Sequence, residues 1–324
     1  MSSELATAVT DGDRRALAQA ITLVESTRAD HRDEAAELLT EVLPATGGSI
    51  RVGVSGAPGS GKSTLIEALG LQLLVEDHRV AVLAVDPSST RSGGSILGDK
   101  TRMEQLSRME NAFVRPSPTG GTLGGVARRT REVLLLCEAA GFDVVLVETV
   151  GVGQSEVAVA GMVDSFVVVL APGGGDELQG IKRGIMELAD IVVVNKADGE
   201  LESAAGHAAA DIASALHLVR PRSAAWSPTV VLSSALEGRG IHELWGAIER
   251  FRDTLGPEIG RNRAVQARDW MWSEVSATLM GSLRSDPTVA ALVPELERDV
   301  TEGRLAPGAA AHQVLRAFRG DPPR

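Results

Sequence analysis

Runs of aliphatic residues alternate with helical segments through the middle of the chain. Six of these runs are almost continuously apolar, which is the pattern of strands buried on both faces of a parallel sheet. They span residues 50–55, 79–85, 143–147, 165–170, 190–194 and 229–232. Because helical segments lie between most of them, the order predicts an α/β fold with a doubly wound, mostly parallel sheet. Its ligand crevice should lie outside the carboxyl ends of the strands.

The two ends of the chain carry helical patterns only. Apolar positions over the first 45 residues, such as Leu17 and Ile21, predict two or three helices. After about residue 256, helices are predicted at 262–284, after Asp286-Pro287 and after Ala306-Pro307-Gly308. The chain thus divides into an N-terminal helical extension (1–46), an α/β domain (47–256) and a C-terminal helical region (257–324). For the last region a dimer interface and packing against the α/β domain are both open.

A glycine-rich loop follows the first predicted strand and precedes a helical segment. Its residues fill the phosphate-loop pattern GxxxxGK[ST] as Gly56-Ala57-Pro58-Gly59-Ser60-Gly61-Lys62-Ser63-Thr64. The glycines let successive N–H groups and the helix N-terminus face a phosphate, Lys62 can reach the β- and γ-phosphates, and Ser63 can ligate Mg²⁺. The loop therefore predicts binding of a nucleoside triphosphate.

Composition narrows the classes of function. The 324 residues carry a formal net charge of −11 with no run of lysine or arginine, so no nucleic-acid or anionic-membrane partner is expected. The single cysteine, Cys137, lies in an apolar run, which leaves no disulfide framework and indicates a reducing compartment. No signal peptide and no membrane span are expected, so the predicted location is the cytoplasm.

Two carboxylates near the end of the second predicted strand are candidate magnesium ligands. Asp86 follows that strand directly and could hold Mg²⁺ directly or through water, although a lone aspartate there is also a common turn cap. The polar segment from Ser89 to Met103 is typical of a mobile loop ordered by γ-phosphate and Mg²⁺. Asp99 in this segment is either a metal ligand or part of an ordinary surface loop.

A third carboxylate, Glu148, ends the strand over residues 143–147. This is where phosphate-loop enzymes usually carry an aspartate for Mg²⁺, and Gly151 behind it offers an N–H to the γ-phosphate. A water-mediated Mg²⁺ contact and orientation of the attacking water are both open for Glu148. The flexible stretch Gly151-Val152-Gly153-Gln154 is suited to a second switch.

Two short elements predict recognition of guanine. Asn195-Lys196-Ala197-Asp198 follows a strand and fits the NKxD pattern, and Ser234-Ala235-Leu236 fits the loop that supports the base. An aspartate pairs with the N1–H and the exocyclic amine of guanine, whereas adenine would leave the carboxylate unpaired. GTP and GDP are therefore the expected ligands, with Mg²⁺.

A glycine triplet at residues 173–175 opens one further candidate loop. It is followed by Asp176-Glu177 and by a helical start that carries Lys182 and Arg183. The stretch is either a third movable loop beside the nucleotide or a plain strand-to-helix connection. With Lys62 and Glu148, the side chains of Asp176 and Lys182 complete the predicted catalytic set.

Taken together, these blocks resemble the MeaB/ArgK group of P-loop GTPases, which includes the methylmalonic aciduria type A protein. The resemblance covers roughly residues 10 to 320 and rests on 56–64, 86–89, 98–103, 148–156, 175–182 and 195–198. It implies a GTP-dependent chaperone that protects and reactivates methylmalonyl-CoA mutase, or a related cobalamin-dependent mutase, and gates cofactor loading. It also implies phosphate and Mg²⁺ roles for Lys62, Ser63, Asp86, Asp99 and Glu148, a third switch from Asp176 to Lys182, and a homodimer through the C-terminal helices.

Three other functions compete with this one. Some relatives are labelled as kinases of amino-acid (LAO/AO) transport, but the sequence shows no protein-substrate kinase site. A metal-insertion GTPase would need thiolate or imidazole ligands, and one cysteine and six scattered histidines do not form such a site. A nucleotide kinase is opposed by the NKxD element.

Overall fold

A computed structural model describes residues 2–26, 28–85, 103–116, 123–149, 155–172, 183–217 and 221–320. Its seven strands form one sheet in the order β3-β2-β4-β1-β5-β6-β7, and every strand pairing in it is parallel. The strands are β1 Ile50–Gly56, β2 Val80–Val85, β3 Ala112–Arg115, β4 Val144–Thr149, β5 Ser165–Leu170, β6 Ile191–Val194 and β7 Thr229–Leu232. The predicted fold class is confirmed.

Helices connect the strands and occupy both ends of the chain. Those of the amino-terminal half are α1 Ser2–Thr10, α2 Arg14–Glu25, α3 Ala29–Val42, α4 Lys62–Val75, α5 Glu104–Ser107 and α6 Leu123–Ala139. Those of the carboxyl-terminal half are α7 Ser155–Ala160, α8 Arg183–Met186, α9 Glu202–Leu216, α10 Ile241–Leu255, α11 Pro257–Ser285, α12 Pro287–Thr301 and α13 Pro307–Arg319. In the described ranges, no helix is long and apolar enough to cross a bilayer.

One strand was not predicted. The edge strand β3 has four residues, Ala112–Arg115, and within the described ranges it pairs only with β2. A run this short, with an arginine at its end, gives neither the continuous apolar pattern nor the alternation that marks a longer strand. Its strand conformation depends on the ladder to β2, which sequence periodicity does not report.

The sheet carries a separate apolar core on each face. Successive side chains of a strand point to opposite faces, and on β4 Val144 and Leu146 join one core whereas Val145 and Val147 join the other. The first core also holds buried residues of α4 and α10, and the second those of α1, α2, α3 and α6. This two-sided burial explains why the strands are almost entirely apolar in sequence.

The chain forms two compact units, residues 1–263 and 264–324. The first contains the sheet together with α1 to α3, and α2 and α3 pack on α6. The second contains most of α11 and the mutually packed helices α12 and α13. The division into 1–46, 47–256 and 257–324 stays a prediction.

A buried ion pair fixes the amino end of β1. The guanidinium of Arg51 contacts Glu138 of α6 through two bonds of 2.8 and 2.7 Å, and the Arg51 N–H donates to Asp164 at 2.9 Å. Burial raises the pKa of Glu138, but the bonds from Arg51, Ser49 and the Gly47 N–H outweigh it, so this pKa lies below its ordinary value. At pH values above the ordinary carboxyl pKa, the ion pair therefore stabilises the fold. This contribution to stability is lost as the pH falls through the lowered pKa of Glu138 in the folded state.

We expect Arg51→Ala to lower the free energy of unfolding by about 3–5 kcal/mol at neutral pH, because it leaves a carboxylate buried without its cation. The Glu138 side chain is 1% exposed and that of Arg51 12%. The matched control is Arg28→Ala, which breaks a two-bond arginine–carboxylate pair with Asp30 whose side chains are 68% and 59% exposed. Urea denaturation followed by circular dichroism should show a large shift for Arg51→Ala only, and equal shifts for the two variants would contradict the role given to burial.

Candidate nucleotide-binding site

The glycine-rich loop leads from the end of β1 into α4, as the sequence predicts. Gly56 ends β1 with φ 149°, and a Cβ there would lie 2.1 Å from the carbonyl oxygen of Val169 on β5. Gly61 precedes α4 with φ 90°, and a Cβ there would lie 2.5 Å from the Nδ2 atom of Asn195. At Gly56 both the backbone conformation and the neighbouring carbonyl exclude a side chain, whereas at Gly61 the positive φ favours glycine and a Cβ would displace the Asn195 amide.

Lys62 is held inside the curve of this loop. Its side chain is buried, and the Nζ atom donates to the carbonyl oxygens of Gly56 at 2.8 Å and Ala57 at 3.1 Å. Pro58 and Gly59, at the loop tip, are exposed to solvent, and the Ser60 hydroxyl is buried with no hydrogen-bond partner among the described residues. The positive charge thus lies beside an open, backbone-lined turn, which is the geometry that receives phosphate oxygens.

Ser63 and Glu148 come together although 85 positions separate them. β1 pairs with β4 so that Val54 lies opposite Glu148, and this register brings the end of β4 beside the loop. The Ser63 hydroxyl, in the first turn of α4, donates to Glu148 Oε1 at 2.9 Å. A hydroxyl and a carboxylate oxygen are the hard ligands that Mg²⁺ prefers, so this pair fits the ion.

A side-chain bond joins β1 to β4 one residue beyond the pairing of Val54 with Glu148. The Thr149 hydroxyl donates to the Ser55 hydroxyl at 2.8 Å, and both side chains are fully buried. Sequence reasoning did not single out this pair, because it assigned no role to the side chain of Thr149 within the block over residues 148–156 or to that of Ser55. The bond ties the ends of β1 and β4 together where both chains leave the sheet toward the site.

Several predicted site residues lie outside the described residues. They are Asp86, Asp99, Gly151, Asp176 and Lys182. Residues 89–102, 151–154 and 176–182 of the three predicted movable segments also lie outside the described residues. Met103, which the predicted mobile loop included, is 1% exposed and directly precedes α5. The loop prediction was therefore too long at this end, since Met103 belongs to the apolar core under α4.

Asn195 connects the glycine-rich loop to the loop over residues 234–236. It directly follows β6 and is 2% exposed. Its Nδ2 atom donates to the carbonyl oxygen of Ser60 at 3.1 Å, and its Oδ1 atom accepts from the Ala235 N–H at 3.1 Å. The first residue of NKxD therefore binds other parts of the protein, and it clamps the glycine-rich loop to the loop over residues 234–236.

Asp198 lies at the open side of this arrangement. Its Oδ2 atom accepts a 2.5 Å bond from the Ser234 hydroxyl, and its side chain is partly exposed. Lys196 has the left-handed φ of 59° that turns the chain between Asn195 and Asp198. Ser234 and Ala235 are buried, whereas Leu236 is 81% exposed. The carboxylate is thus oriented by the loop over residues 234–236 and still reachable by a ligand.

Arg239 is a residue of this region that no motif indicated. Its Nη2 atom donates to the carbonyl oxygen of Ala197 at 2.9 Å, and its guanidinium pairs with Glu202 at 3.0 Å and Glu237 at 2.8 Å. The only sequence signal is its position between Gly238 and Gly240, whose φ values of 71° and 76° shape a tight turn.

A phosphate loop at the end of the central strand, a carboxylate on the neighbouring strand and NKxD at the end of β6 define a P-loop GTPase. The family model described as "Methylmalonyl Co-A mutase-associated GTPase MeaB" matches residues 17–288. The chain belongs to this family, which confirms the resemblance seen in the sequence and the assignment of GTP hydrolysis.

Two relatives and one solved structure are similar to this chain over almost its whole length. A probable GTPase of Mycobacterium tuberculosis is 58% identical over 96% of this chain and 93% of its own length. The mitochondrial methylmalonic aciduria type A homolog of Mus musculus is 49% identical over 97% of this chain and 79% of its own length. A crystal structure described as an "LAO/AO transport system kinase" superposes with a TM-score of 0.78 at 38% identity, covering 98% of this chain and 97% of the other.

We expect Asn195→Ala to weaken binding of GDP and GTP alike, by about tenfold or more. The substitution leaves the Ser60 carbonyl and the Ala235 N–H without their partner, at about 1–3 kcal/mol for each buried group, so a ligand must order both loops itself. Titration calorimetry with each nucleotide measures the effect. Glu200→Ala, an exposed change in the same loop region, is the control. Affinities of Asn195→Ala within twofold of the parent would show that this clamp is not needed.

Proposed function

We propose that this GTPase is a chaperone of an adenosylcobalamin-dependent mutase, either methylmalonyl-CoA mutase or a related enzyme. In this role GTP binding and hydrolysis protect or reactivate the mutase and gate the loading of its cofactor in the cytoplasm. The observation that carries the proposal is membership in a family described as mutase-associated. The bonds by which Asn195 joins the phosphate loop to the loop over residues 234–236 support it.

On the base side, Asp198 selects guanine. Guanine presents two adjacent donors, N1–H and the exocyclic amine, and a carboxylate can accept from both while keeping the bond from Ser234, because each oxygen has two lone pairs. Adenine presents an acceptor in place of N1–H, which the carboxylate repels. Ala235 and Leu236, in the loop over residues 234–236, support one side of the base. Asn195 and Lys196 hold the other side of the base.

On the phosphate side, Lys62 and the N–H groups of residues 56–64 bind the phosphates. Ser63, Glu148, Asp86 and Asp99 would hold Mg²⁺, which when bound supplies positive charge against the charge that develops on the phosphoryl oxygens. The Ser63–Glu148 contact supports this assignment, because the two oxygen ligands are already paired beside the loop. Gly151 would offer its N–H to the γ-phosphate. Asp176 and Lys182 would form the third switch, through which the mutase acts.

The C-terminal unit supports a homodimer. Six large apolar residues of α11 expose between 40% and 60% of their surface, namely Val265, Met271, Trp272, Val275, Leu279 and Met280. Apolar surface concentrated in this way on one helix is typical of an interaction site. We propose that a second copy of the chain covers it.

A second candidate function is a kinase of amino-acid transport. It is favoured by the superposition, with a TM-score of 0.78, on a solved structure that is named as an "LAO/AO transport system kinase". A transport kinase must pass the γ-phosphoryl group to a protein acceptor, whereas the chaperone releases inorganic phosphate. Incubation with γ-labelled GTP and cell extract separates the two, because only the kinase yields a labelled protein.

Guanine selection is tested at Asp198. We expect Asp198→Ala to weaken GTP binding at least about tenfold, since it removes a charged acceptor of two hydrogen bonds. Asp198→Asn is the matched variant of equal size. Its carboxamide N–H can donate to the oxygen that replaces the exocyclic amine in xanthine, so this variant should prefer xanthosine nucleotides over guanosine nucleotides.

Calorimetric titration with GTP, ATP and xanthosine triphosphate measures these preferences. Equal affinity of the parent protein for GTP and ATP would contradict the assignment of guanine specificity.

Coupling to the mutase is tested by steady-state phosphate release. We expect slow hydrolysis by the protein alone and faster hydrolysis with a cobalamin-dependent mutase, because no glutamine follows Gly151 directly to position the attacking water. Asp176→Ala and Lys182→Ala should lose most of the acceleration. Lys62→Ala should lose turnover with and without mutase and serves as the inactive control. An unchanged parental rate with mutase, or acceleration of both switch variants equal to that of the parent, would contradict the proposal.

A further inference from the structure

Arg239 reinforces the junction of the two loops that meet at the base side of the site, beside the Asp198–Ser234 and Asn195–Ala235 bonds. The first loop contains residues 195–198, and the second runs from Ser234 to Gly240. The backbone of Arg239 belongs to the second loop, where its N–H donates to the carbonyl oxygen of Ser234 at 3.1 Å and its carbonyl oxygen accepts from the Ser234 N–H at 3.0 Å. Its side chain crosses to the first loop.

Each of these contacts bears on the conformation of Asp198. The Nη2 bond to the Ala197 carbonyl oxygen, 2.9 Å long, fixes the peptide that enters Asp198. The paired backbone bonds fix Ser234, whose hydroxyl holds the Asp198 carboxylate at 2.5 Å. The Ser233 hydroxyl also donates to the Arg239 carbonyl oxygen, at 3.1 Å, while the Ser233 carbonyl oxygen accepts from the Ala197 N–H at 2.9 Å. Backbone and carboxylate of Asp198 are thus both positioned by way of Arg239.

The guanidinium is itself held in place by two carboxylates. Glu202, the first residue of α9, contacts Nη1 at 3.0 Å, and Glu237 contacts Nη2 at 2.8 Å. Both pairs are about half exposed, so they contribute little to stability by themselves. Their effect is geometric, because the planar guanidinium can hold several acceptors in one fixed arrangement that a flexible ammonium cannot reproduce.

We infer that Arg239 is a positioning residue for base selection, acting through Asp198 on discrimination between guanine and other purines. This inference rests on the proposed role of Asp198. Two bonds to adjacent donors of one base require the carboxylate plane to face the base edge, and small errors in such an alignment cost much of the discrimination. Arg239 sets this alignment without contacting the ligand itself.

The test compares GDP with inosine diphosphate, whose base lacks the exocyclic amine and so offers Asp198 one donor fewer. We expect Arg239→Ala to lower the ratio of the two affinities about fivefold or more, with kcat at saturating GTP within about twofold of the parent. Arg239→Lys keeps a donor toward the Ala197 carbonyl and should recover part of the ratio. Arg252→Ala, which removes an exposed arginine of α10, should leave the ratio unchanged.

A purely structural role would weaken both nucleotides by the same factor and leave their ratio unchanged, and that result in Arg239→Ala and Arg239→Lys would overturn the inference. In an Asp198→Ala background, Arg239→Ala should have no further effect on the ratio, because the two residues act in series. If the parent does not distinguish the two nucleotides, or if Asp198→Ala leaves the ratio intact, the guanine assignment itself fails. If Asp198→Ala collapses the ratio and Arg239→Ala does not, only the role of Arg239 fails.

Discussion

The parallel pairing of β1 with β4 on one side and β5 on the other is the constraint on which the site depends. Because the strands run in the same direction, the chain leaves all of them at one edge of the sheet, and residues far apart in sequence meet there. The register that places Val54 opposite Glu148 brings the carboxylate to the Ser63 hydroxyl, and the approach of β5 is what forbids a side chain at Gly56. Displacing the β1–β4 register by one residue would turn the side chain of Glu148 to the other face of the sheet.

The opposite end of β1 is fixed by charges. Asp164, just before β5, accepts from the Arg51 N–H, and its side chain also pairs with Arg263 at 2.6 Å. Arg263 in turn donates to the carbonyl oxygen of Ser49, while Arg51 binds Glu138. These side chains are almost fully buried, so each charge requires its partner. The central strand is therefore held by hydrogen-bonded charges at its beginning and by the glycine-rich turn at its end, which keeps the phosphate loop in a defined position.

Within the site, the amide of Asn195 and the guanidinium of Arg239 each join two loops by hydrogen bonds, and they differ in their exposure to solvent. The Asn195 amide is buried and joins the phosphate loop to the loop over residues 234–236. Arg239 lies half in solvent and joins that second loop to the NKxD turn. The phosphate loop, the NKxD turn and the loop over residues 234–236 thereby form one connected hydrogen-bonded structure. A substitution that displaces any one of these three loops should therefore also displace the other two.

The fold class, the phosphate loop and the family can be read from the sequence alone, since continuous apolar strands and the pattern from Gly56 to Thr64 depend only on local order and spacing. The sequence also indicated Ser63 and Glu148 as magnesium ligands and Asp198 and Ser234 as residues at the base. Their direct contacts with one another depend on the folded sheet, because Ser63–Glu148 and Ser234–Asp198 arise from strand pairing across 85 and 36 positions. The edge strand β3, the bond between Ser55 and Thr149 and the contacts of Arg239 could not be predicted from the sequence for the same reason. Each is defined by a partner brought near by the sheet, and no local pattern encodes that partner.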